Sequence, residues 1–319
     1  MDESAARALP VWVLTGPTGT GKSDWAVHAA QHHPVEIVSV DSAMVYRGMD
    51  IGTAKPPAPL RARIPHHLID ICDPAESYSA GRFVTDATAR IVEINRRGRI
   101  PLLVGGTFLY LRALLNGLAR LPQASMELRR QLDERAAREG WPALHAQLKR
   151  LDPEAAARIH ANDAQRIQRA LEVCLTTGEA LSQLQRARAC APAPYRVRRW
   201  ALVPAERSVL HANLEKRFKT MMEHGFLSEV GALFGRGDLH SGHAAVRAVG
   251  YRQLWTHLSG ACTLAEAVQR GIAATRQLAK RQITWVRADA TLERVDPYAP
   301  GACEEWNRQL DYELSKLGR

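Results

Sequence analysis

The amino-acid sequence predicts an α/β protein in which a parallel sheet is flanked by helices and the chain carries an inserted all-helical domain. Three observations lead to this prediction. Short apolar runs alternate with helical stretches over residues 1–118, helical signals without a convincing strand fill residues 119–195, and strand character returns in residues 196–319. Strands that alternate with helices form a parallel sheet covered on both faces. We therefore expect residues 1–118 and 196–319 to build one α/β core around the insertion.

The first segment supplies the opening strands of the sheet. Apolar residues 11–14 predict a buried strand, and a helical stretch follows over residues 22–33. Residues 36–40, rich in β-branched side chains, predict a second strand, and residues 67–71 predict a short third one. A longer helix should begin after Ser79 as its N-cap and end near Arg97, before Gly98. Residues 100–104 predict a further buried strand, closed by two glycines.

Capping signals define the helices of the insertion. Asp152 followed by Pro153 and Glu154 predicts a helix start, because an N-cap acceptor, a first-turn proline and an acid near the dipole coincide. Asn162 and Asp163 offer a second start, and Gly178 is a typical stop.

The final segment returns to the sheet. Residues 197–203 and 292–295 have strand character, and Thr263 with Glu266 forms the pattern of a capping box that opens a helix.

Composition and charge narrow the class of protein. There are 43 Lys and Arg against 33 Asp and Glu, a formal net charge of +10, which suits a polyanionic partner such as nucleic acid or an anionic membrane. A solvated, arginine-rich surface explains the same excess. The five cysteines are scattered without a C-x-x-C pair, which excludes a disulfide framework and a zinc ribbon. With no signal peptide and no apolar run of about 20 residues, we expect a cytoplasmic protein without membrane segments.

A glycine-rich motif lies between the first strand and the first helix. It fits G-x-x-x-x-G-K-[ST] in the structural context that this phosphate-binding loop requires, and it predicts a P-loop NTPase-like fold. Its backbone N–H groups and the helix N-terminus face phosphate oxygens, the lysine adds a cation, and the serine hydroxyl can ligate Mg²⁺. ATP is the default ligand, although any diphosphate would satisfy the same groups. The candidate residues are Gly16, Pro17, Thr18, Gly19, Thr20, Gly21, Lys22 and Ser23.

A carboxylate follows the second predicted strand. Because the carboxyl ends of strands in open α/β sheets face the ligand crevice, Asp41 should lie near the phosphate loop. There it could hold Mg²⁺ through water or accept a proton as a general base. An Asx turn that caps the next segment explains the residue equally well.

Further sequence blocks extend this pattern along nearly the whole chain, from about residue 11 to 287. Together with the loop they resemble the tRNA dimethylallyltransferases, in the form typical of bacteria, since no Cys/His zinc module follows. The blocks are Asp41–Pro56, Pro65–Asp70, Leu103–Thr107, Asn162–Glu172, Val249–Tyr251 and Ala279–Trp285.

The resemblance implies a reaction. A dimethylallyl group passes from dimethylallyl diphosphate to N6 of the adenosine at tRNA position 37, beside the anticodon, and pyrophosphate leaves with the help of Mg²⁺. The loop then holds the prenyl donor, with Ser23 as the metal ligand. The resemblance further implies Asp41 as the general base and Thr20, Lys22 and Arg217 as catalytic groups beside the diphosphate. Taken alone, Arg217 would be read as part of a solvated helix face.

The resemblance also implies a tRNA-binding set, and we expect a monomer that contacts the anticodon stem-loop. The target adenine must leave the stacked bases of the anticodon loop to reach a buried prenyl donor. In the first segment this set comprises Asp41, Ser42, Ala43, Met44 and Thr107. In the insertion it comprises Arg129, Gln165, Arg166, Ile167, Gln168 and Arg169. In the last segment it comprises Arg247, Gly250, Tyr251, Arg252, Lys280, Arg281, Gln282, Thr284, Trp285 and Arg287.

Two residues in this set have competing interpretations. Thr107 also suits a simple turn, and a lone Trp285 among apolar neighbours favours core packing over base stacking. Helical spacing places Arg276 on the same helix face as Lys280, Arg281 and Arg287. Together they form a basic stripe that suits a phosphate backbone.

The chain departs from the family pattern at a few positions. Gly19 and Thr20 stand where many members have Ala-Ser, and Ser23 stands for Thr, which keeps the loop geometry and the hydroxyl. Met44 replaces a common glutamine, which weakens any role for position 44 in reading a base edge.

Two other functions fit part of the pattern. A P-loop kinase could use residues 119–195 as a lid over ATP, and a nucleotide-switched RNA-binding module could use the loop without catalysis. Convergence of Asp41 and Arg217 on the loop would favour the transferase over a switch module.

Overall fold

A computed structural model describes residues 8–119, 121–122, 125–187 and 195–318. These residues form two compact units. One contains the described residues up to Leu114 and those from Tyr195 onward, and the other runs from Leu115 to Ala187. The first unit is a parallel α/β sheet with helices, and the second is helical. The predicted boundaries at 118/119 and 195/196 stay predictions.

The sheet has six parallel strands in the order β3-β2-β4-β1-β5-β6. The long register of β5 beside β1, from Leu9 opposite Tyr195 to Thr15 opposite Ala201, rejoins the last segment to the first. The predicted α/β class and the return to the sheet after the insertion are therefore confirmed. The strands are β1 (Leu9–Thr15), β2 (Val35–Ser39), β3 (His66–His67), β4 (Ile100–Val104), β5 (Tyr195–Leu202) and β6 (Glu293–Val295).

Helices flank the sheet and fill the second unit. In chain order, those of the first segment are α1 (Lys22–His32), α2 (Ala58–Arg63), α3 (Ala80–Arg96) and α4 (Phe108–Asn116). Those of the second unit are α5 (Met126–Glu139), α6 (Trp141–Leu151), α7 (Pro153–Arg158), α8 (Ala164–Thr177) and α9 (Leu181–Ala187). The last segment adds α10 (Arg207–Glu223), α11 (Phe226–Phe234), α12 (Tyr251–Leu258), α13 (Leu264–Ala288) and α14 (Ala302–Ser315). No helix in the described ranges is long and apolar enough to cross a membrane.

The predicted helix caps are confirmed. The Ser79 hydroxyl accepts from the Arg82 N–H, and the Asp152 and Asp163 carboxylates accept from the third residue of the helices that follow them. The Thr263 capping box is formed at the start of α13, where its Glu266 partner completes it. These local side-chain bonds satisfy N–H groups that the helix leaves unpaired.

The predicted third strand is wrong beyond its first residue. β3 covers only His66 and His67, and Leu68 and Asp70 adopt left-handed backbone angles of φ 63° and 56°. The turn brings the Asp70 carboxylate to 2.6 Å from the buried Lys55 Nζ. An ion pair with a residue 15 positions earlier in the chain therefore ends a run that resembles a strand.

Alternating side chains of the sheet build two cores. On β1, Val11 and Val13 join the larger cluster, while Trp12 and Leu14 pack on the opposite face. A separate apolar cluster fills the second unit. Burial on both faces explains why the strands read as continuous apolar runs.

Candidate active site

The phosphate loop crosses the carboxyl end of the sheet between β1 and α1. Gly16 has a φ of 134°, and a Cβ there would lie 2.3 Å from the Leu202 carbonyl oxygen at the end of β5. The loop can therefore lie against the strand ends only with glycine at this position. Gly21, at the start of α1, is also left-handed, with φ 76°.

Gln282 ties the loop to the turn after β4. Its amide Nε2 donates to the Gly106 carbonyl at 2.9 Å, and its Oε1 accepts from the Thr18 N–H at 2.8 Å. The side chain is buried, and a Cβ on Gly106 would lie 2.2 Å from its nitrogen. Gln282 thus holds the loop in place, a role the sequence did not predict because its partners lie 176 and 264 residues away.

Lys22 points back into the loop. Its Nζ donates to the Pro17 carbonyl at 2.5 Å and lies 3.4 Å from the Thr20 hydroxyl, which itself donates to the Pro17 carbonyl at 2.9 Å. Burial, helped by the Arg217 charge and opposed by Asp41, lowers the pKa of Lys22 from 10.5 to about 7. An anion bound beside this lysine would raise its pKa and stabilise the protonated form.

Arg217 reaches the same place from α10. Burial lowers its pKa, while the carboxylates of Asp41 and Asp24 favour its charged form. Within the described chain it makes no ion pair or hydrogen bond. A desolvated guanidinium without a partner is costly, which favours an anionic ligand at this position.

Asp41 forms the Asx turn, one of the two interpretations that the sequence left open, and keeps one carboxylate oxygen available for the other. Its Oδ1 accepts from the N–H groups of Ala43 at 2.8 Å and Met44 at 3.2 Å, which is the Asx turn. Among the described residues no donor bonds Oδ2, so the second oxygen stays available to a ligand. Thr107 accepts from the Ser42 N–H at 3.2 Å through Oγ1, so it also supports the turn.

Two cavities meet at these residues. The first, of about 660 Å³, contains most of the phosphate loop together with Lys22 and Ser23. The second, of about 430 Å³, has Ser42, Thr107, Arg247, Arg281 and Trp285 among its lining residues. The structure therefore brings Asp41 and Arg217 together with the loop, as expected. The residues that line both cavities are Thr18, Asp41, Thr53, Gly106, Arg217 and Gln282.

The α13 face beside the second cavity is basic and partly aromatic. The expectation that Trp285 packs in the core is wrong, because its side chain is 41% exposed. It stacks on Phe108, with nearly parallel rings whose centroids lie 6.1 Å apart. Arg276 does not join this face as a free cation, because it pairs with Glu215 at 2.7 Å. The exposed members of the predicted set on this helix are Lys280, Arg281, Thr284, Trp285 and Arg287.

The predicted residues around α12 divide by burial. Arg247 and Arg252 are exposed, whereas Tyr251 is buried and donates its hydroxyl to the Glu229 carboxylate at 2.5 Å. Gly250, with φ 89°, lets α12 begin against the ring of Phe226. Tyr251 therefore lines the second cavity, and Gly250 allows the close packing beside it.

Most predicted residues of the insertion are engaged within the second unit. Arg129 and Arg169 both pair with the buried carboxylate of Glu172, at 3.1 Å and 2.7 Å. Burial opposes ionisation of Glu172, but the two arginines favour its charged form more strongly, and its pKa is lowered. Ile167 is fully buried and packs the core instead of facing a partner.

The other three residues lie nearer to solvent. Gln168 donates to Asp133 at 2.7 Å, while Gln165 and Arg166 are exposed at the start of α8. Of the six predicted tRNA contacts in this unit, Gln165 and Arg166 thus have the most accessible side chains.

Fold and site together define a P-loop α/β protein in which the cavity at the phosphate loop, here called the phosphate cavity, shares one carboxylate and one arginine with a second cavity. The family described as IPP transferase matches residues 44–289. A tRNA dimethylallyltransferase of Alkalilimnicola ehrlichii is 58% identical over 280 residues, 88% of each chain. The chain belongs to the IPP transferase family and is a transferase.

Solved structures agree with this assignment. The tRNA isopentenylpyrophosphate transferase of Bacillus halodurans is 36% identical with a TM-score of 0.71, and the alignment covers 97% of both chains. A eukaryotic dimethylallyltransferase described as acting on tRNA has a TM-score of 0.75 and 28% identity over 90% of this chain and 74% of its own. The P-loop NTPase-like fold is thereby confirmed, and of the functions the sequence left open the transferase is supported.

Proposed function

We propose that this chain transfers a dimethylallyl group from dimethylallyl diphosphate to N6 of the adenosine at tRNA position 37. One observation carries the proposal: the phosphate cavity and a second, basic-rimmed cavity meet at Asp41 and Arg217. A donor bound at the loop and a base entering from the other side would present their reacting atoms at this junction. The names of the relatives and the tRNA-related structural neighbour support the same reaction.

The loop end of the junction serves the leaving group. Pyrophosphate leaves well only if its growing negative charge is neutralised, and preorganised donors do this without reorganisation cost. Backbone N–H groups of the loop, Lys22 and Arg217 surround that position. Neither side chain forms a carboxylate ion pair within the described chain, so Arg217 and the protonated form of Lys22 can pair with the diphosphate.

The other end of the junction serves the nucleophile. An exocyclic adenine amine is weak because its lone pair is delocalised into the ring. As the C–N bond forms, Oδ2 of Asp41 accepts the N6 proton, while Oδ1 stays bonded to the turn and fixes the carboxyl orientation. The Asx turn is thus part of the positioning of the base.

Magnesium fits the donor chemistry at the loop. Mg²⁺ prefers oxygen ligands and keeps several waters, so one hydroxyl together with phosphate oxygens and waters would suffice. Ser23, which lines the first cavity, would supply that hydroxyl. When bound, the ion supplies further neutralisation of the diphosphate charge.

Exposed basic residues at the second cavity and on α12 and α13 suit a tRNA backbone. Arg247 and Arg281 line this cavity, and Arg252, Lys280 and Arg287 are exposed on the two helices. The stacked Phe108–Trp285 pair, which also lines the cavity, offers a flat apolar surface. Phosphate contacts position an RNA, and aromatic faces stack unpaired bases. A monomeric, cytoplasmic enzyme stays our expectation.

The deciding experiment uses the intact chain. It is incubated with dimethylallyl diphosphate, Mg²⁺ and an unmodified tRNA with adenosine at position 37, and nucleosides are analysed by mass. We expect one prenyl increment on that adenosine and none on a tRNA with guanosine there. ATP turnover on a small acceptor without any prenyl increment would refute the proposal.

A further inference from the structure

The segment Asp50–Pro56 contains no strand or regular helix, yet it forms part of the wall of both cavities. Gly52 lines the second cavity, Ala54 lines the first, and Thr53 lines both. The position of this segment therefore sets the width of the junction at which Asp41 lies.

Glu229, on α11, binds the segment through its backbone. Its Oε2 accepts the N–H groups of Asp50 at 2.8 Å and Ile51 at 2.7 Å, and its Oε1 accepts that of Gly52 at 3.1 Å. The Tyr251 hydroxyl, at 2.5 Å, is a fourth donor. Four donors on one carboxylate need two acceptor oxygens, so a glutamine amide would set its NH₂ group against N–H donors.

The rest of the segment is held by packing and by a buried lysine. A Cβ on Gly52 would lie 2.1 Å from the Phe226 ring, so the backbone rests directly on that ring. Lys55 Nζ lies 2.6 Å from a carboxylate oxygen of Asp50 and donates to the Tyr46 carbonyl at 2.9 Å.

Between these two anchors the backbone adopts an unfavourable conformation. Ala54, between Thr53 and Lys55, has a left-handed φ of 51°, which a non-glycine residue adopts only where its surroundings hold it. The segment is thus fixed from both sides, by Glu229 at its start and by Lys55 at its end.

We propose that Glu229 is a positioning residue for the transfer step, acting through Gly52 and Thr53 on the junction where donor and adenine meet. This rests on the proposed function. In the described chain Glu229 forms no hydrogen bond or ion pair with the phosphate loop or with the basic residues of α13, so its loss should lower the affinity for either substrate less than the rate. It should lower the rate at which the bound pair reacts.

The test compares Glu229→Gln with Glu223→Gln. Glu223 is an exposed residue at the end of α10 that makes no ion pair or hydrogen bond in the described chain. Its substitution therefore makes the same charge change at a position without structural contacts of this kind. Single-turnover prenyl transfer is measured with both substrates saturating, beside dissociation constants and thermal unfolding. For Glu229→Gln we expect a rate loss of roughly tenfold to a hundredfold, because small misplacements of reacting groups carry penalties of that size.

The outcomes separate positioning from simple stability. A Glu229→Gln rate equal to that of Glu223→Gln would overturn the inference, as would a loss that only follows the fraction of unfolded protein. If Glu229→Gln does not fold, Tyr251→Phe, which removes one of the four donors, decides by the same measurement. An unchanged rate there overturns the inference. An active wild type with an unaffected variant refutes this inference alone, whereas an inactive wild type refutes the proposed function as well.

Discussion

Two clusters in this chain contain the same kinds of charge in different arrangements. In the second unit, Arg129 and Arg169 share the buried carboxylate of Glu172. At the cavity junction, Lys22 and Arg217 face Asp41 without forming an ion pair with it, within the part of the chain that the structure describes.

The pKa shifts express this difference. In the paired cluster the arginines hold the pKa of Glu172 below its ordinary value despite its burial. In the unpaired cluster burial dominates and lowers the pKa of Lys22 to about 7. Removing one partner of a buried ion pair destabilises the fold, because the other charge is left without compensation. A desolvated cation without a partner costs stability in the free protein and favours an anionic ligand. An arginine that the family resemblance singles out can therefore have either of two different roles.

The largest expected effect is on the transfer rate and comes from replacing the carboxylate at the junction. Asp41→Asn keeps an acceptor for the Ala43 and Met44 N–H groups but removes the base. Single-turnover prenyl transfer should slow by roughly a hundredfold or more, with unchanged tRNA affinity. Wild-type turnover combined with lost tRNA binding would show that Asp41 binds RNA rather than accepts a proton.

The next effect breaks the paired cluster. Glu172→Gln leaves Arg129 and Arg169 without their shared charge and the Ser125 N–H with a weaker acceptor. We expect a loss of about 2 kcal/mol in the free energy of unfolding, since hydrogen bonds to charged groups have values of that order. Denaturant unfolding measures it, and transfer at a temperature where the variant is folded should be unchanged. A stable but inactive Glu172→Gln would reverse the roles we give the two clusters.

A pH effect sharpens the comparison further. With a pKa of about 7, Lys22 is protonated below neutral pH and loses its proton above it, so diphosphate binding requires proton uptake at higher pH. Donor affinity should fall with rising pH above 7, approaching tenfold per pH unit. Lys22→Arg, which stays charged throughout, is the control for the titration of the diphosphate itself. Parallel pH profiles of the two proteins would contradict this assignment.

The smallest effect lies on the exposed face of α13. Lys280→Ala should reduce the slope of log tRNA affinity against log salt by about one, as expected for one lost phosphate contact. Arg276→Ala is the matched control, because Arg276 is already paired with Glu215. Equal slopes for the two variants would remove Lys280 from the tRNA contacts.

The sequence predicts well wherever the signal is local. The strands of the sheet core, the phosphate loop and the caps at Ser79, Asp152, Asp163 and Thr263 each depend on residues within a few positions of one another. The family resemblance also placed Asp41 and Arg217 at one site, although 176 residues separate them in the chain.

The failures all come from partners far away in sequence. Asp70 turns toward Lys55 and ends β3 early, and Trp285 stacks on Phe108 in place of a core position. Arg169 and Glu172 are three apart, a readable helical pair, but nothing in the spacing shows that Arg129 completes the cluster. A basic residue's role depends on whether a carboxylate reaches it in the folded chain.

Gln282 gives α13 a direct connection to the phosphate loop. Its amide bonds Thr18 in the loop, while Arg281 beside it in sequence and Trp285 one turn further lie exposed on the same helix. A rotation or shift of α13 that follows RNA contact must therefore be transmitted to the loop or must break this hydrogen bond. Thermodynamic linkage makes any such coupling reciprocal, so a bound diphosphate would change tRNA affinity by the same factor as tRNA changes diphosphate affinity.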